Sequence, residues 1–368
     1  MIAIVYPQFY GVGGIARYLD SFLANLPENA PPIYLITGDE NKIPRQYKGV
    51  EIIHIPFSSN RFSLISWSIS AAKLVKKLYA DKNISLVNFH FPPLIPGLFL
   101  PRDIPIVLTA HTTYRGMSGK FYKTEHFKSP WNALALTIKF AMENIIFSKT
   151  SKVISLTEQG RQEVLTYGVK KPIAVIPNGV DISQFVPDAS VSKDIDVLFC
   201  GRIEKRKGSR PMVEVCERLV IAKPDINIYV VGYGDDDQYV KQHLSKFAGN
   251  ITLTGKVPFN DMMSYYSRSK LYVSTSYYEG LPGTCLEAMA MHLPAIVWDF
   301  QFYEGLVIEG KTGFLATPND YDGMVQRVLI GLDKPEEMIA MGAHARSLLE
   351  AHYSWAKLSD DLIKVILS

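Results

Sequence analysis

Two glutamates with seven residues between them, Glu279 and Glu287, flank a loop at 280–283 that contains two glycines and a proline. The loop follows a β-branched apolar run at 271–275 and leads into a helical pattern, which predicts a strand, a tight turn and a helix N-terminus. The first amides of a helix carry partial positive charge, and glycine lets an anion approach them. A carboxylate accepts paired hydrogen bonds from vicinal hydroxyls. The stretch is therefore typical of a nucleotide-sugar site, whereas an ordinary acidic helix start would explain only Glu287.

Basic side chains follow a second apolar run, at 196–200, which predicts a buried strand. Arg202 comes two residues after it, and Lys207 follows a short loop. Two fixed cations at the carboxyl end of a strand can neutralise a diphosphate as it leaves. Lys205 and Arg206 are additional cations with no expected role. A solvated basic turn is the alternative, but the position directly after a buried strand favours a ligand site.

These two runs resemble motifs of one family. The Glu-x7-Glu run, followed by Ala-Met-Ala at 288–290, resembles the signature of retaining glycosyltransferases of the GT-B fold, family 4, and Gly-Arg…Lys-Gly at 201–208 resembles a second motif. The resemblance implies an α/β protein of two Rossmann-like α/β/α domains with an interdomain cleft. It implies retaining transfer of a sugar from a UDP- or GDP-sugar to a hydroxyl of a glycan or lipid-linked acceptor. It implies no metal cofactor, because arginine and lysine take the place of a metal at the diphosphate.

The resemblance also assigns roles to single residues. The glutamates would hold hydroxyls of the ribose and of the sugar, the amides at the helix start would hold the sugar, and the cations would hold the departing diphosphate. The catalytic set is Glu279, Arg202, Lys207 and His111, and the donor-binding set is Gly13, Gly14, Asn178, Val257, Gly283, Thr284, Cys285, Leu286 and Glu287.

Some of these assignments have a structural alternative. Gly13 and Gly14 open a helix without the third glycine of a dinucleotide fingerprint, and they could serve only tight packing. His111 ends an apolar run, as His90 does one run earlier, and either could be a structural histidine. Asn178 precedes a glycine, which is typical of a turn.

The length and patterning of the chain predict two domains. Its 368 residues exceed what one core usually holds. Apolar runs alternate with helical patterns along both halves, which predicts parallel sheets covered by helices. An irregular polar stretch at 177–196 marks the joint. We therefore expect an acceptor domain at 1–177, a donor domain at 178–353, and a helix at 354–368 that, by the resemblance, packs back on the first domain.

Composition and charge limit the classes of partner and the cellular location that are expected for this chain. The formal net charge of +3 does not require nucleic acid. No run of about 18 apolar residues is free of charges and prolines, so no spanning helix is expected, and the first residues do not resemble a signal peptide. Three separated cysteines favour free thiols in a reducing compartment, which predicts a cytoplasmic protein. Basic and aromatic residues at 57–66 and 112–130 are candidates for contact with the acceptor and with an anionic membrane.

Two other functions fit the same motifs. One is a non-catalytic subunit that binds a nucleotide sugar, and the other is a GT-B epimerase that needs no acceptor. The intact glutamate and cation pairs favour catalysis over the first, and product analysis would separate the second.

Three aspartates at 235–237 could suggest a metal, but they precede a helix, where acidic residues favour the dipole, so no metal site is expected.

Overall fold

The computed structural model describes residues 1–368 except 12, 39–45, 58–60, 92–94, 121–129 and 189. The chain forms two compact units. The first comprises Met1–Gly179 together with Trp355–Ser368, and the second comprises Val180–Ser354. The sequence placed the joint two residues earlier, after residue 177. Part of the loop expected to contact the acceptor, at 121–129, lies outside the described residues.

The first unit is built on a parallel sheet of seven strands. Its strands are β1 Ile2–Val5, β2 Ile33–Gly38, β3 Val50–Ile55, β4 Leu86–Phe91, β5 Ile106–Ala110, β6 Lys152–Ser155 and β7 Ile173–Val175. Their order in the sheet is β3-β2-β1-β4-β5-β6-β7. The central strands are buried along their whole length, because helices cover both faces. This is why they read in the sequence as mostly apolar runs, with Asn88 and His90 as the polar positions of β4.

The described part of the first unit has six α-helices. They are α1 Gly14–Ala24, α2 Arg61–Ala80, α3 Ile95–Leu98, α4 Pro130–Lys149, α5 Glu158–Leu165 and α12 Trp355–Leu367. The short α3, which contains a proline and a glycine, has no counterpart in the sequence prediction. In α12, Trp355 packs edge-on against Tyr18 of α1 with ring centroids 4.8 Å apart. The Ser359 hydroxyl donates to the Asn25 carbonyl at 2.6 Å. The C-terminal helix is therefore part of the first unit's core.

The second unit contains a parallel sheet of six strands. They are β8 Ile195–Cys200, β9 Ile228–Val231, β10 Ile251–Gly255, β11 Ser269–Ser274, β12 Ala295–Trp298 and β13 Gly313–Ala316. Their order is β10-β9-β8-β11-β12-β13. Its helices are α6 Ser209–Ala222, α7 Asp237–Leu244, α8 Met262–Arg268, α9 Gly283–Ala290, α10 Tyr321–Asp333 and α11 Pro335–His352. The sequence prediction assigned the region after β12 to helices and missed β13.

Each sheet reverses its strand order once. In the second unit the chain adds β9 and β10 on one side of β8, then crosses to place β11 on the other side. The loops after β8 and β11 therefore leave in different directions and open a crevice at the carboxyl ends of these strands. The cationic run after Cys200 and the loop after Ser274 meet there, so the topology itself brings the two sequence motifs together.

Candidate active site

A pocket in the second unit lies at the carboxyl ends of β8 and β11. Residues of both sequence motifs line it, together with buried residues of the strands. The motif residues among them are Gly201, Arg202, Lys207, Glu279 and Thr284. The structure thus gathers five residues that are up to 83 positions apart in the chain into one crevice within a single unit.

A buried ion pair forms the floor of this pocket. The Lys207 ammonium donates to Glu279 Oε1, and Glu279 is 8% exposed. Burial opposes ionisation of Glu279, but the positive charges of Lys207 and Arg206 outweigh it and hold the pKa of the carboxyl below its usual range. Burial is also the main cause that lowers the pKa of Lys207. The two charges are therefore largely buried, so water screens them little and their field acts strongly on a ligand.

Arg206, to which the sequence analysis gave no role, contacts Glu279 of the pocket. Its guanidinium donates to the Tyr278 carbonyl at 2.8 Å and to Glu204 at 2.6 Å, and lies 3.7 Å from Glu279 Oε2. The Ser276 hydroxyl donates to Glu279 Oε1 at 3.1 Å. Glu279 is therefore held from both of its oxygens before any ligand binds, which fixes its orientation. The three consecutive cations at 205–207 were the only signal for this role.

The turn that presents Lys207 depends on one glycine. Gly208 has a φ of 72°, in the left-handed region, and precedes α6. A Cβ at this position would lie 1.8 Å from the Thr275 carbonyl oxygen. The Thr275 hydroxyl in turn donates to the Gly208 carbonyl at 2.9 Å. The backbones of the loops after β8 and β11 thus approach each other at Gly208, at a distance that only glycine allows.

The start of α9 faces the same pocket. Pro282 precedes the helix and no side chain caps it. The amides of Cys285 and Leu286 already donate to the Pro282 carbonyl, at 3.1 and 3.2 Å, and both side chains are buried. Of the predicted donor contacts on this helix, the amides of Gly283 and Thr284 are the ones that remain for an anion. Cys285 and Leu286 fill the core instead.

Glu287 has a different environment from Glu279. It is 7% exposed and accepts a hydrogen bond from the Tyr266 hydroxyl of α8 at 2.8 Å. That hydroxyl lies 3.7 Å from the sulfur of Cys200, which lines the pocket. Glu287 is not among the described residues that line the pocket, and it connects to its wall through Tyr266.

Two predicted residues lie at the periphery of the second unit's site. The Arg202 side chain is 62% exposed and pairs with Glu204 at 3.2 Å. Arg202 is thus a rim residue, whereas Lys207 is a floor residue. Val257 follows β10, three strands away from β11, and packs half-buried against the core. The structure places it on the same carboxyl edge of the sheet as the pocket.

His111 belongs to the first unit, where it forms a chain with His90 and Asn88. The Asn88 amide donates to the Val107 carbonyl and to Thr109, at 3.1 and 3.0 Å, which leaves its oxygen to face His90 Nε2 at 2.9 Å. His90 Nδ1 lies 3.0 Å from His111 Nε2. His90 must therefore carry its hydrogen on Nε2 and accept at Nδ1 from His111. This leaves His111 Nδ1 as a bare acceptor.

Both histidines stay neutral in this environment. Burial lowers the pKa of His111 to about 3. Burial, reinforced by His111, lowers the pKa of His90 well below its usual range. The structural alternative holds for His90, which is 1% exposed and fully engaged. His111, 8% exposed, keeps one nitrogen for a ligand.

The hydrogen bonds from Asn88 through His90 to His111 predict a defined tautomer for His111. We expect a single set of ring nitrogen signals at neutral pH, with the hydrogen on Nε2, in a long-range ¹H–¹⁵N correlation spectrum. In His90→Phe the acceptor is gone, so both tautomers of His111 should be populated. His243 in the second unit, whose Nδ1 faces the Tyr239 carbonyl at 2.8 Å, serves as the internal control. A hydrogen on Nδ1 of His111 in the unmodified protein would contradict this assignment.

Gly13 and Gly14 begin α1 in open space. A Cβ built on either meets no described atom within 4 Å. Tight packing against the described part of the chain therefore does not explain these glycines, which leaves access for a ligand as their interpretation.

Asn178 lies at the end of the first unit's main segment, and its amide oxygen is buried without a partner among the described residues. The structure describes these three residues and His111 within the first unit and the remaining predicted residues within the second.

Two buried glutamates that the sequence analysis passed over hold the segment after His111. Glu143 of α4 accepts from the Tyr114 amide at 2.8 Å and from the Tyr167 hydroxyl. Glu163 of α5 accepts from the Thr113 hydroxyl at 2.6 Å. Arg115, expected on an acceptor surface, instead lies 4.2 Å over the Tyr167 ring. This segment is therefore anchored to the core and is not a free basic loop.

The burial of Glu143 predicts a pH dependence of stability. Burial, partly offset by its hydrogen bonds, raises the pKa of this carboxyl from 4.5 to about 7. Between these values the folded chain binds the proton more tightly than the unfolded chain, so stability is lost as pH rises through 7. The cost should reach roughly 3 kcal/mol above it. Glu143→Gln should therefore gain stability relative to the unmodified protein between pH 5 and pH 8 in urea unfolding. Glu51→Gln, at an exposed glutamate, is the control, and a pH-independent difference would refute the prediction.

The sequence and fold match known proteins. Residues 12–184 match the family described as Glycosyltransferase Family 4, and residues 183–348 match the family described as Glycosyl transferases group 1. The chain belongs to the GT4-type glycosyltransferases. The two matches meet within the first residues of the second unit. The donor-type motifs and the pocket they form lie in the group 1 region of this glycosyltransferase.

Related proteins extend this picture. The glycosyltransferase is 25% identical to phosphatidyl-myo-inositol mannosyltransferase of Mycolicibacterium smegmatis over 327 residues, which cover 86% of this chain and 79% of that protein. Its structure resembles sucrose-phosphate synthase from Thermosynechococcus elongatus, with a TM-score of 0.83, 19% identity, and coverage of 99% of this chain and 98% of that one. It also resembles Anabaena HepE in complex with UDP and glucose, with a TM-score of 0.78, 15% identity, and coverage of 100% and 99%. The likeness to the solved structures establishes the GT-B fold.

Two features are absent from the described part of the chain. Across the described ranges, no three His, Cys, Asp or Glu side chains are grouped so that they could hold a metal ion. In the same part of the chain, no helix is both long enough and apolar enough to cross a bilayer. Two of the aspartates at 235–237 have protein partners, since Asp237 accepts from the Gly234 amide at 2.9 Å and Asp236 accepts from the Ser209 hydroxyl.

Proposed function

We propose that this protein is a retaining hexosyltransferase that moves a sugar from a UDP- or GDP-sugar to a hydroxyl of a glycan or lipid-linked acceptor. One observation carries the proposal most. A lysine and a glutamate form a buried charged pair in a pocket beside uncapped helix amides. This combination offers a cation and amides to a diphosphate and a carboxylate to a sugar. The relative with bound UDP and glucose supports the same class of donor.

In the proposed reaction the cations act on the leaving group. As the bond between the sugar and the diphosphate breaks, negative charge grows on the diphosphate oxygens. Lys207, in a largely buried position, and Arg202, at the rim, stabilise that charge, and the amides of Gly283 and Thr284 contribute the helix dipole. Because the pocket is preorganised by Arg206, little reorganisation is needed at the moment of transfer.

The glutamates serve to grip hydroxyls. Glu279 accepts hydrogen bonds from the sugar, and its Lys207 partner is then shared with the diphosphate. Glu287, held by Tyr266, accepts from the ribose. We assign the proton of the acceptor hydroxyl to a phosphate oxygen of the donor, which requires attack on the face that the diphosphate leaves. A covalent intermediate on Glu279 is the less favoured route, since both of its oxygens are already engaged.

The cations also predict activity without a metal. Treatment with a chelator should leave the initial rate within about twofold of the untreated enzyme, because lysine and arginine provide the charge that a divalent ion would otherwise provide. The rate is measured by release of nucleoside diphosphate with and without EDTA, and again after Mg²⁺ or Mn²⁺ is added back. A strict requirement for an added ion would contradict this part of the proposal.

The experiment that tests the function is a screen followed by product analysis. Nucleoside diphosphates and their sugars are added singly and Tm is measured, since a ligand of the folded state raises Tm. The donor that raises Tm is then incubated with glycan and lipid-linked acceptors. Transfer with the donor's anomeric configuration kept, seen by NMR, supports the proposal, and an inverted product would exclude retention.

The same products separate the other functions. A binding subunit would raise Tm without hydrolysis or transfer, and an epimerase would convert the nucleotide sugar with no acceptor present. The three free cysteines support a reducing, cytoplasmic setting for the reaction.

A further inference from the structure

The outer helices of the first unit carry exposed apolar side chains. On α2, Ile65 and Ile69 are 46% and 37% exposed, and on α4, Leu134, Ile138 and Ile145 are 54%, 55% and 48% exposed. The α4 residues recur at spacings of four and seven, so they form one stripe along the helix. Each of the two helices has 20 residues, about 30 Å of length.

These helices belong to one surface. The short α3 packs against both α2 and α4. Phe99, directly after α3, is 41% exposed. The Lys149 ammonium at the end of α4 donates to the carbonyls of Leu98 and Leu100 at 2.8 Å each, which ties α4 to this connection. We call the surface made by the exposed residues of α2, α4 and Phe99 the outer face.

The charges on the outer face have one sign. Lys73, Lys76 and Lys77 of α2 are exposed, whereas Lys139 of α4 lies 4.9 Å over the Tyr114 ring, away from the stripe. The one carboxylate on either helix is Glu143, which is fully buried. Among the described residues, none of these four lysines pairs with a carboxylate.

A cluster of positive charge lies at one end of this face. Burial lowers the pKa of Lys149, and repulsion from Arg102 and Lys76 lowers it further, which places the three cations close together. Asp81 and Asp103 are exposed acids in the adjoining loops, so the acids lie beside the helices and not on them.

Carboxylates match several cations of the second unit. Examples are Arg218 with Asp322, Lys223 with Asp225, and Arg268 with Asp194, at 2.5 to 2.8 Å. The three α2 lysines have no such carboxylate among the described residues. An apolar stripe with unpaired cations beside it fits a partner that is apolar inside and anionic outside.

We propose that the outer face rests on the surface of a bilayer that contains anionic phospholipids. The isoleucines and leucine enter the boundary between headgroups and acyl chains, and the lysines contact the phosphates. A second copy of this chain is disfavoured as the occupant, because the two faces would oppose lysine to lysine. The inference concerns a surface outside the pocket and does not rest on the proposed function.

Vesicle sedimentation tests the proposal with the full chain. The protein should sediment with vesicles of equimolar phosphatidylglycerol and phosphatidylcholine, remain in solution with pure phosphatidylcholine, and be released as salt is raised. The double variant Ile138→Ser, Ile145→Ser and the triple variant Lys73→Gln, Lys76→Gln, Lys77→Gln should each reduce binding by tenfold or more. The matched control is Ile221→Ser, Ile339→Ser, at residues 74% and 69% exposed on α6 and α11, which should bind like the unmodified protein.

Each other outcome overturns the proposal. Binding that is absent, equal on both vesicle types, or equally reduced in the control excludes this face as a membrane surface. Release by millimolar glycerol phosphate would point to a discrete phosphate site. A dimer in sedimentation velocity that the Ile138→Ser, Ile145→Ser variant abolishes would assign the face to a second copy. Far-UV circular dichroism and Tm confirm that each variant is folded before its binding is compared.

Discussion

Replacing Lys207 with alanine should lower kcat for sugar transfer by about 10²–10³-fold, with a smaller change in the affinity for the donor. Lys207 lies largely buried against Glu279, so its charge is little screened by water. Charge on the leaving diphosphate grows during the reaction, and a cation that meets it there stabilises the transition state more than the bound donor. Steady-state rates over a range of donor concentrations separate kcat from KM.

The neighbouring cations provide the matched controls. Lys205→Ala removes an exposed charge from the same turn and should leave kcat unchanged. Arg202→Ala should have an effect nearer tenfold, because its side chain is 62% exposed and more screened. Full turnover in both Lys207→Ala and Arg202→Ala would remove the leaving-group role from the proposed mechanism.

Loss of Lys207 also leaves Glu279 with less compensation, which can destabilise a fold by about 3–5 kcal/mol. The double variant Lys207→Met, Glu279→Gln removes both charges and should recover most of that stability. It should not recover turnover. If activity returned together with stability, the lysine would have a structural role only.

Gly208→Ala should lower the stability of the fold by at least about 3 kcal/mol. The left-handed backbone alone costs an alanine about 1–2 kcal/mol. The Cβ would in addition lie 1.8 Å from the Thr275 carbonyl oxygen, and both partners are backbone, so neither can give way cheaply. Urea unfolding at fixed pH measures the change.

Gly310→Ala is the control for this substitution. Gly310 has a φ of 68°, close to the 72° of Gly208, but a Cβ there meets no described atom within 4 Å. Its cost should be limited to the backbone term, about 1–2 kcal/mol. Equal losses in the two variants would show that the close approach to Thr275 is not what demands glycine in the turn.

Most strands of both sheets could be predicted from the sequence, and the reason is burial. Strands covered on both faces are mostly apolar, as in β1, β4 and β8, although β4 also contains the buried Asn88 and His90 and β8 contains Asp196. β13 is at the edge of its sheet and is half exposed at Phe314 and Leu315, so its pattern is weaker. The sequence prediction therefore assigned its residues to the helical region after β12.

The site was predictable where the chemistry is local and not where it depends on tertiary contacts. The spacing of Glu279 and Glu287 and the cations at 202 and 207 were readable in the sequence. Which of three adjacent cations turns toward Glu279 is decided by a single helical turn at 205–207, and that turn places both Arg206 and Lys207 near it. The role of Glu143 was not predictable, because its partners, Tyr114 and Tyr167, come from distant parts of the chain.

The first unit is completed by a segment that the ribosome makes after the whole second unit. Trp355 of α12 packs against Tyr18 and Phe22 of α1, which are synthesised more than 330 residues earlier. Until then, the aromatic surface of α1 has no native cover. The first unit of the nascent chain therefore stays incompletely packed while the second unit is synthesised and folds. During this period its exposed apolar surface is a binding site for chaperones.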